Sequence, residues 1–402
     1  MRMHHRIKIF NGKIIVPGRI IARGTVLVTD GLITAIEEGD VDFPGATEID
    51  ANGQYVSPGF IDIHVHGGGG YDFMDGTTEA FLKIADIHAR HGTTAMLPTT
   101  LSSEKEDLLL TLSAYDTANS LNEKGAAFIG MHLEGPYFAM NQRGAQDPKY
   151  IRDPDPNEYK EILENYPSIK RWSAAPELKG ALEFGKYVSS KGVLAAIAHT
   201  DAVYEEVLAA FQNGYSLATH FYSAMSGVTR RNAFRYAGVI ESAYLLDEMD
   251  VEIIADGVHL PEPLLKLVYK IKGPGHTALI TDAMRAAGMP EGESILGSLK
   301  NGLRVIVEDG VAKLPDRTAF AGSVATADRL VRTMIHIAGV SLTDTIRMIT
   351  ETPARIMGIQ DKKGSLQTGK DADILIFTEA IEISMTMVKG KIVYQKLATR
   401  QI

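Results

Sequence analysis

Long apolar runs alternate with amphipathic stretches of helical periodicity through the middle of the chain. The apolar runs that we interpret as strands cover residues 59–66, 93–100, 126–134, 169–177, 193–200, 215–221, 251–259 and 277–283. Strands that are apolar on both faces and separated by helices are typical of a buried parallel sheet. Eight such units predict an α/β fold in which the sheet closes into a (β/α)8 TIM barrel.

Both ends of the chain show a different pattern. Residues 6–55 and 364–394 contain short β-rich runs separated by Gly, Asn and Asp, without helical periodicity. We predict that residues 1–56 and 364–402 form one small β-sandwich domain and that residues 57–363 form the barrel. Residues 294–320 break the alternation with β-like, Gly-marked pieces, and we interpret them as an insertion before the last helices.

Composition excludes several kinds of site and partner. Apolar residues make up 45% of the 402 residues and charged residues 23%, which is typical of a soluble globular protein. The net charge of −9 is spread along the chain, which argues against nucleic acid as a partner. Because cysteine is absent, any metal must bind to His, Asp or Glu. The first residues lack a signal-peptide pattern and no run is long enough to span a membrane, so we expect a cytoplasmic protein without a membrane partner.

Residues that can bind a cation or move a proton recur at the carboxyl ends of the predicted strands, where a barrel builds its active site. They are His64 and His66 on the first strand, Glu134 on the third, His199 on the fifth, His220 on the sixth and Asp282 on the eighth. Two residues that are two apart on a strand share a face, so His64 and His66 can bind one cation. Burial of these groups costs several kcal/mol unless a cation or proton compensates. The pattern therefore predicts a metal site.

Alternatives remain for single residues. One histidine on a strand is more often a hydrogen-bonded core residue than a ligand, and Asp282 alone could be a helix N-cap. His132 shares a face with Glu134 and could contact the metal ligands without binding the metal itself. We interpret the remaining histidines in helical or terminal segments as structural: His4, His5, His88, His91 and His336.

Several motifs resemble a known family. SPGFIDIHVHG resembles the opening signature of the amidohydrolase superfamily, and GSLQTGKDADILIF resembles its closing segment. Within that superfamily HLEGPY, RGAQDP, IAHT, THFYSAM, ADGVH and LITDAM are similar to the N-acetylglucosamine-6-phosphate deacetylases, over nearly the whole chain. The resemblance implies a homodimeric TIM-barrel enzyme with one or two divalent ions per subunit. Zinc is the first expectation, and iron, manganese and cobalt also suit His and carboxylate ligands.

The resemblance also implies roles for the candidate residues. Glu134, His199 and His220 would bind the principal metal, and His64 and His66 a second one. Asp282 matches the catalytic aspartate, which takes a proton from the attacking water and returns it to the departing amine. The implied reaction removes the acetyl group from N-acetylglucosamine 6-phosphate, an amino-sugar phosphate.

Substrate-binding positions follow from the same resemblance. Arg231 lies where the family places a phosphate-binding arginine, with Arg230 as the alternative, and an arginine fork suits such an oxyanion. His259 resembles a family histidine that reaches the phosphate in the neighbouring subunit's active site. The other implied substrate-binding residues are Ala145, Gln146, Ser223, Ala224, Phe320, Ala321 and Gly322.

Two departures from the family pattern leave the substrate open. Gln146 stands where many members carry a histidine, and Ser223 stands where asparagine is usual. N-acetylgalactosamine 6-phosphate therefore remains an alternative substrate, and a cyclic amidase or deaminase remains an alternative enzyme. Many of these rivals use a carboxylated lysine on the fourth strand, where this chain offers Lys170 and Arg171 only near the beginning. A non-catalytic sugar-phosphate regulator would lack a ligand or the catalytic acid, and this chain has all of them.

Overall fold

The computed structural model describes residues 4–396. Within them the strands are β1 (Arg6–Val16), β2 (Arg19–Thr29), β3 (Leu32–Glu38), β4 (Thr47–Asp50), β5 (Tyr55–Pro58), β6 (Phe60–Val65), β7 (Gly67–Gly68), β8 (Tyr71–Asp72), β9 (Thr93–Pro98), β10 (Ala127–Phe128), β11 (Met131–Glu134), β12 (Ile169–Ala174), β13 (Leu194–Ile197), β14 (Tyr215–Ala218), β15 (Thr229–Arg231), β16 (Phe234–Tyr236), β17 (Asp250–Ile254), β18 (Thr277–Ile280), β19 (Gly292–Leu296), β20 (Leu303–Glu308), β21 (Val311–Lys313), β22 (Ile374–Phe377), β23 (Ile383–Val388) and β24 (Lys391–Gln395).

The α-helices are α1 (Thr78–Arg90), α2 (Lys105–Leu121), α3 (Pro156–Asn165), α4 (Ala181–Ser190), α5 (Tyr204–Gln212), α6 (Val239–Leu245), α7 (Glu262–Lys272), α8 (Ala327–His336), α9 (Leu342–Ile349) and α10 (Glu351–Ile356). Short 3-10 helices cover Phe73–Asp75, Met140–Gln142 and Pro148–Tyr150. No helix among residues 4–396 combines the length and the apolar content that crossing a bilayer requires.

Strands from both ends of the chain form one eight-stranded sheet. Its order is β24-β23-β22-β5-β1-β2-β3, and β4 pairs with β1. The link between the two ends is the antiparallel pairing of β5 with β22. One cluster of buried apolar side chains, which includes Ile9, Val26 and Met387, packs along this sheet.

The middle of the chain builds a curled parallel sheet with helices between its strands. Strands β11-β12-β13-β14-β17-β18 form a six-stranded parallel sheet, and β10-β9-β6 form a three-stranded one. Parallel bridges from Thr99 to His132 and from Val65 to Ala283 lie between the edges of the two sheets. Strands β6, β9, β11, β17 and β18 are buried at every residue, as the continuous apolar runs indicated. The predicted α/β class is confirmed.

Seven of the eight parallel strands end earlier than the apolar pattern predicted, and three of them stop just before a predicted site residue. Strands β13, β14 and β18 stop before His199, His220 and Asp282, which adopt φ values of 47°, 30° and 46°. A left-handed backbone costs a non-glycine residue about 1–3 kcal/mol and is concentrated at functional sites. At each of these residues the left-handed backbone ends the hydrogen bonding of the strand and redirects the side chain. A hydrophobicity pattern contains no signal for such a change of backbone torsion.

The predicted insertion is a small antiparallel sheet. Strands β19, β20 and β21 pair in sequence order, and their apolar side chains pack with Met284 and Ala321 in a separate cluster. This sheet lies beside the carboxyl end of β18, so it contributes a wall to the cavity described next.

Candidate metal centre

The six residues predicted from the strand ends converge around the carboxylate of Glu134. Its Oε1 lies 3.1 Å from His220 Nε2, 3.4 Å from His64 Nε2 and 3.5 Å from His199 Nε2. Its Oε2 lies 3.4 Å from His66 Nε2. Asp282 Oδ1 lies 3.2 Å from His66 Nε2 and 3.4 Å from His64 Nε2. Glu134 thus belongs to two triplets of ligand atoms, one with His64 and His66 and one with His199 and His220.

The backbone around Glu134 explains why the motif continues with glycine. Gly135 has a φ of 96°, and a Cβ added there would lie 2.3 Å from Ser102 Oγ. Glycine adopts a positive φ without strain and has no Cβ that could clash with Ser102, so no other residue fits this position. The backbone can therefore turn sharply at the residue directly after Glu134.

The far nitrogens of the histidine rings fix their orientation. Nδ1 faces a Glu252 oxygen at 2.9 Å in His64, the Gln142 carbonyl at 2.7 Å in His199 and the Ser223 carbonyl at 3.1 Å in His220. A carbonyl oxygen only accepts, so Nδ1 of His199 and of His220 donates a proton, and Nε2 of each ring is directed at Glu134. His66 Nδ1 is buried without a partner. Imidazole nitrogens and a shared carboxylate form a donor set that fits a divalent cation.

Charge compensation among these buried groups supports the same conclusion. Burial alone would lower the pKa of His64 and of His66. The carboxylates of Asp282 and Glu134 outweigh burial and raise the pKa values to about 9 and about 10. Burial would raise the pKa of Glu134, but the neighbouring histidines hold it well below its usual value. Protons on histidine thus balance the carboxylates, and a divalent cation could replace those protons.

We expect metal binding to release protons at pH 7, because the cation and the protons compete for the same Nε2 lone pairs. The pKa values of His64 and His66 are raised, so both rings are protonated at neutral pH, and metal affinity should increase as the pH rises toward 9 to 10. Calorimetric titration in two buffers with different ionisation enthalpies measures the released protons. Equal heats in both buffers would contradict this expectation.

Beneath the histidines lies a buried ion pair that sequence reasoning missed. Arg171 donates to both carboxylate oxygens of Glu252, at 2.6 and 2.7 Å, and also to Ile63 O and Thr219 Oγ1. Burial would raise the pKa of Glu252, but Arg171 and His64 outweigh burial and lower it. Glu252 in turn accepts from His64, so the pair supports a candidate ligand. The sequence signal that could have revealed this ion pair is one charged residue inside each of two apolar strands, Arg171 in β12 and Glu252 in β17.

His132 supports the site without joining the ligand set. Its Nδ1 lies 3.2 Å from Thr99 Oγ1 and its Nε2 lies 2.7 Å from Ser173 Oγ. Its ring packs edge-on against His64, with 4.7 Å between centroids. Burial, followed by the charge of Arg171, lowers the pKa of His132 well below its usual value, so the ring is neutral.

A cavity of about 460 Å³ opens above the metal-binding residues. The predicted substrate-binding residues in its wall are Ala145, Ser223, Ala224, His259, Phe320 and Gly322. His259 lines the cavity of its own chain, because its Nδ1 pairs with Asp256 Oδ2 at 2.8 Å and its ring packs on Phe320. Sequence reasoning missed Tyr222, Ile254 and Leu296, which also line the cavity and show no polar signal.

Four predicted residues lie outside the cavity wall. Arg230 and Arg231 are exposed on the β15–β16 hairpin, where the Arg231 guanidinium lies 5.4 Å from the Tyr236 ring centroid. Ala321 points into the apolar cluster of the insertion, because its N–H donates to Ala312 O and aligns it with that sheet. Gln146 turns its amide toward Ser102 and Glu134 rather than toward the cavity. Substrate binding by these four residues therefore stays a prediction.

Comparison with known proteins shows relatives over nearly the full length. The chain is 33% identical over 394 residues to an N-acetylglucosamine-6-phosphate deacetylase of Bacillus subtilis, covering 97% of both chains. It is 31% identical to an N-acetylgalactosamine-6-phosphate deacetylase of Escherichia coli O157:H7, covering 91% of this chain and 93% of that one.

A solved structure is similar throughout. It is a variant of N-acetyl-D-glucosamine-6-phosphate deacetylase from Mycobacterium smegmatis in complex with N-acetyl-D-glucosamine-6-phosphate. The TM-score is 0.88 at 28% identity, with 97% of this chain and 99% of that chain covered. The family model described as "Amidohydrolase family" matches residues 55–393, which include every residue of the candidate metal centre. The chain therefore belongs to the amidohydrolase family.

Proposed function

We propose that this chain hydrolyses N-acetylglucosamine 6-phosphate to glucosamine 6-phosphate and acetate with the help of one or two divalent ions. The observation that carries the proposal is the convergence of four imidazoles, Glu134 and Asp282 at the base of a cavity, in a chain whose relatives are such deacetylases. We propose zinc as the first candidate ion.

The residues have distinct tasks in this reaction. Glu134, His199 and His220 would hold the principal ion, and His64 and His66 would share Glu134 to hold a second one. A bound divalent ion polarises an amide carbonyl and lowers the pKa of water. Asp282 presents an ionised carboxylate beside His64 and His66, which lower its pKa against the effect of burial. It can accept the proton of the attacking water and deliver it to the amine nitrogen, which must be protonated to leave.

The position of the arginines supports a homodimer. The β15–β16 hairpin carries Arg230 and Arg231 on the surface, with Val228 59% exposed and Phe234 71% exposed. Exposed apolar side chains next to arginines are common at protein interfaces. We propose that a second copy covers this hairpin and that Arg231 binds phosphate in the cavity of that copy, while His259 acts in its own.

We also propose the closed architecture and the domain division. The eight parallel strands β6, β9, β11, β12, β13, β14, β17 and β18, together with the two bridges at the sheet edges, support a (β/α)8 barrel in residues 57–363. The sheet shared by both chain ends supports one small β-domain made of residues 1–56 and 364–402, and the predicted sandwich would require a second sheet packed on it.

Acetate release tests the function. We expect turnover of N-acetylglucosamine 6-phosphate to exceed that of the galacto epimer and of unphosphorylated N-acetylglucosamine, to vanish after chelation and to return with added divalent ion. One relative is an N-acetylgalactosamine-6-phosphate deacetylase, so N-acetylgalactosamine 6-phosphate is the second candidate substrate. Faster turnover of this epimer would identify it as the preferred substrate. No acetate from any of the three substrates by metal-loaded protein would refute the proposed deacetylase.

Arg231→Ala should raise KM for the phosphorylated substrate about 10-fold or more, because a hydrogen bond to a charged group contributes about 1.5–3 kcal/mol. KM for unphosphorylated N-acetylglucosamine should stay unchanged. Arg235→Ala is the matched control, since Arg235 is exposed on the same hairpin. Equal effects of Arg231→Ala on both substrates would place the phosphate elsewhere.

A further inference from the structure

The side-chain amide of Gln146 is held at both ends within the protein. Its Oε1 accepts from the backbone N–H of Ser102 at 2.9 Å, and its Nε2 donates to Glu134 Oε2 at 2.9 Å. A backbone N–H only donates and an ionised carboxylate only accepts, so the two partners determine which end of the amide is oxygen. Gln146 is 6% exposed and lies outside the wall of the metal-site cavity.

The two oxygens of Glu134 have different surroundings. Oε1 faces His64, His199 and His220, whereas Oε2 faces His66 and receives the hydrogen bond from Gln146. The terminal torsion of a glutamate is broad and has no sharp staggered preference. Rotation of the carboxylate is therefore restricted by its hydrogen-bond partners rather than by its own rotamer.

We infer that Gln146 is a positioning residue that fixes the carboxylate plane of Glu134 for cation binding. The inference rests on the proposed metal centre and assigns Gln146 to the ligand instead of the substrate. By holding Oε2, the amide directs Oε1 toward His199 and His220.

Zinc affinity of the full chain tests the inference. Gln146→Met removes both hydrogen bonds at nearly constant volume, and loss of a partner behind a ligand typically weakens metal binding about 10–100-fold. We expect that loss in competition titrations of zinc against a chromophoric chelator. Circular dichroism and thermal unfolding of the metal-free proteins check that the variant folds.

Asn122→Leu is the matched control. The Asn122 amide is also held at both ends, but by two backbone groups: it accepts from Gly125 N at 3.2 Å and donates to Ala126 O at 2.7 Å, outside the cavity wall. This variant should be less stable but should bind zinc as the wild type does. Equal losses of affinity in both variants would overturn the inference, because affinity would then follow stability.

Two further outcomes separate this inference from the proposed function. Wild-type zinc affinity in folded Gln146→Met would overturn the role of Gln146 alone, whereas a wild-type chain that binds no divalent ion would overturn the metal centre itself. If Gln146→Met does not fold, Gln146→Asn replaces it, because it keeps an amide that is one methylene too short to join Ser102 and Glu134. The same 10–100-fold loss is expected there, and unchanged affinity would again overturn the inference.

Discussion

Asp282→Asn is expected to lower kcat for acetate release by about 10²–10⁴-fold, because positioned proton transfer contributes a factor of that size. Asparagine preserves the shape of the side chain but cannot accept and return a proton at neutral pH. The principal metal should remain bound, since Asp282 is not part of the triplet formed by Glu134, His199 and His220. Steady-state kinetics and metal content per chain measure the two effects separately.

The matched control for this variant is Asp328→Asn. Asp328 is also a buried aspartate with a histidine partner, His91, and its pKa is lowered to about 2 because His91 and Arg332 outweigh burial. It lies outside the cavity wall, so its substitution should reduce stability and leave kcat unchanged. Near-wild-type turnover in Asp282→Asn would exclude Asp282 from proton transfer.

Arg171→Met is expected to lower the free energy of unfolding by about 3–5 kcal/mol, because it leaves the buried charge of Glu252 without its main partner. Both side chains of the pair have no exposed surface, so solvent does not screen the loss. Urea denaturation of the metal-free protein, compared with wild type, measures the change.

A double variant shows whether the pair acts as a unit. Arg171→Met combined with Glu252→Gln should be less destabilised than the sum of the single variants, since removing both charges leaves none uncompensated. Strict additivity would mean that Arg171 stabilises the fold through packing or through its bonds to Ile63 O and Thr219 Oγ1.

Sequence reasoning succeeded where a signal is local or repeated. The continuous apolar runs predicted buried parallel strands, because a strand covered on both faces has no polar side. Glu134, His199 and His220 stood out because each interrupts or ends such a run. The same reasoning placed the strand ends near His199, His220 and Asp282 three residues too late, because backbone torsion has no hydrophobicity signature.

Substrate-side residues were harder to predict from the sequence. Arg231 matched a motif, yet only the three-dimensional position of its hairpin shows that it lies over Tyr236, outside the wall of the cavity in its own chain. Ala321 and Gly322 are neighbours in sequence but have different surroundings, since the N–H of Ala321 pairs with Ala312 and turns its side chain into the insertion cluster.

The sequence by itself determined the strand and helix alternation, the candidate metal-binding residues and the family, because each of these depends on a local pattern or motif. Only the tertiary structure decided which groups meet across the fold. The bond from Gln146 to Glu134 and the ion pair between Arg171 and Glu252, 81 residues apart, depend on the packing of separate strands and loops. Such contacts are set by the geometry of the packed core, which no single segment of the chain specifies.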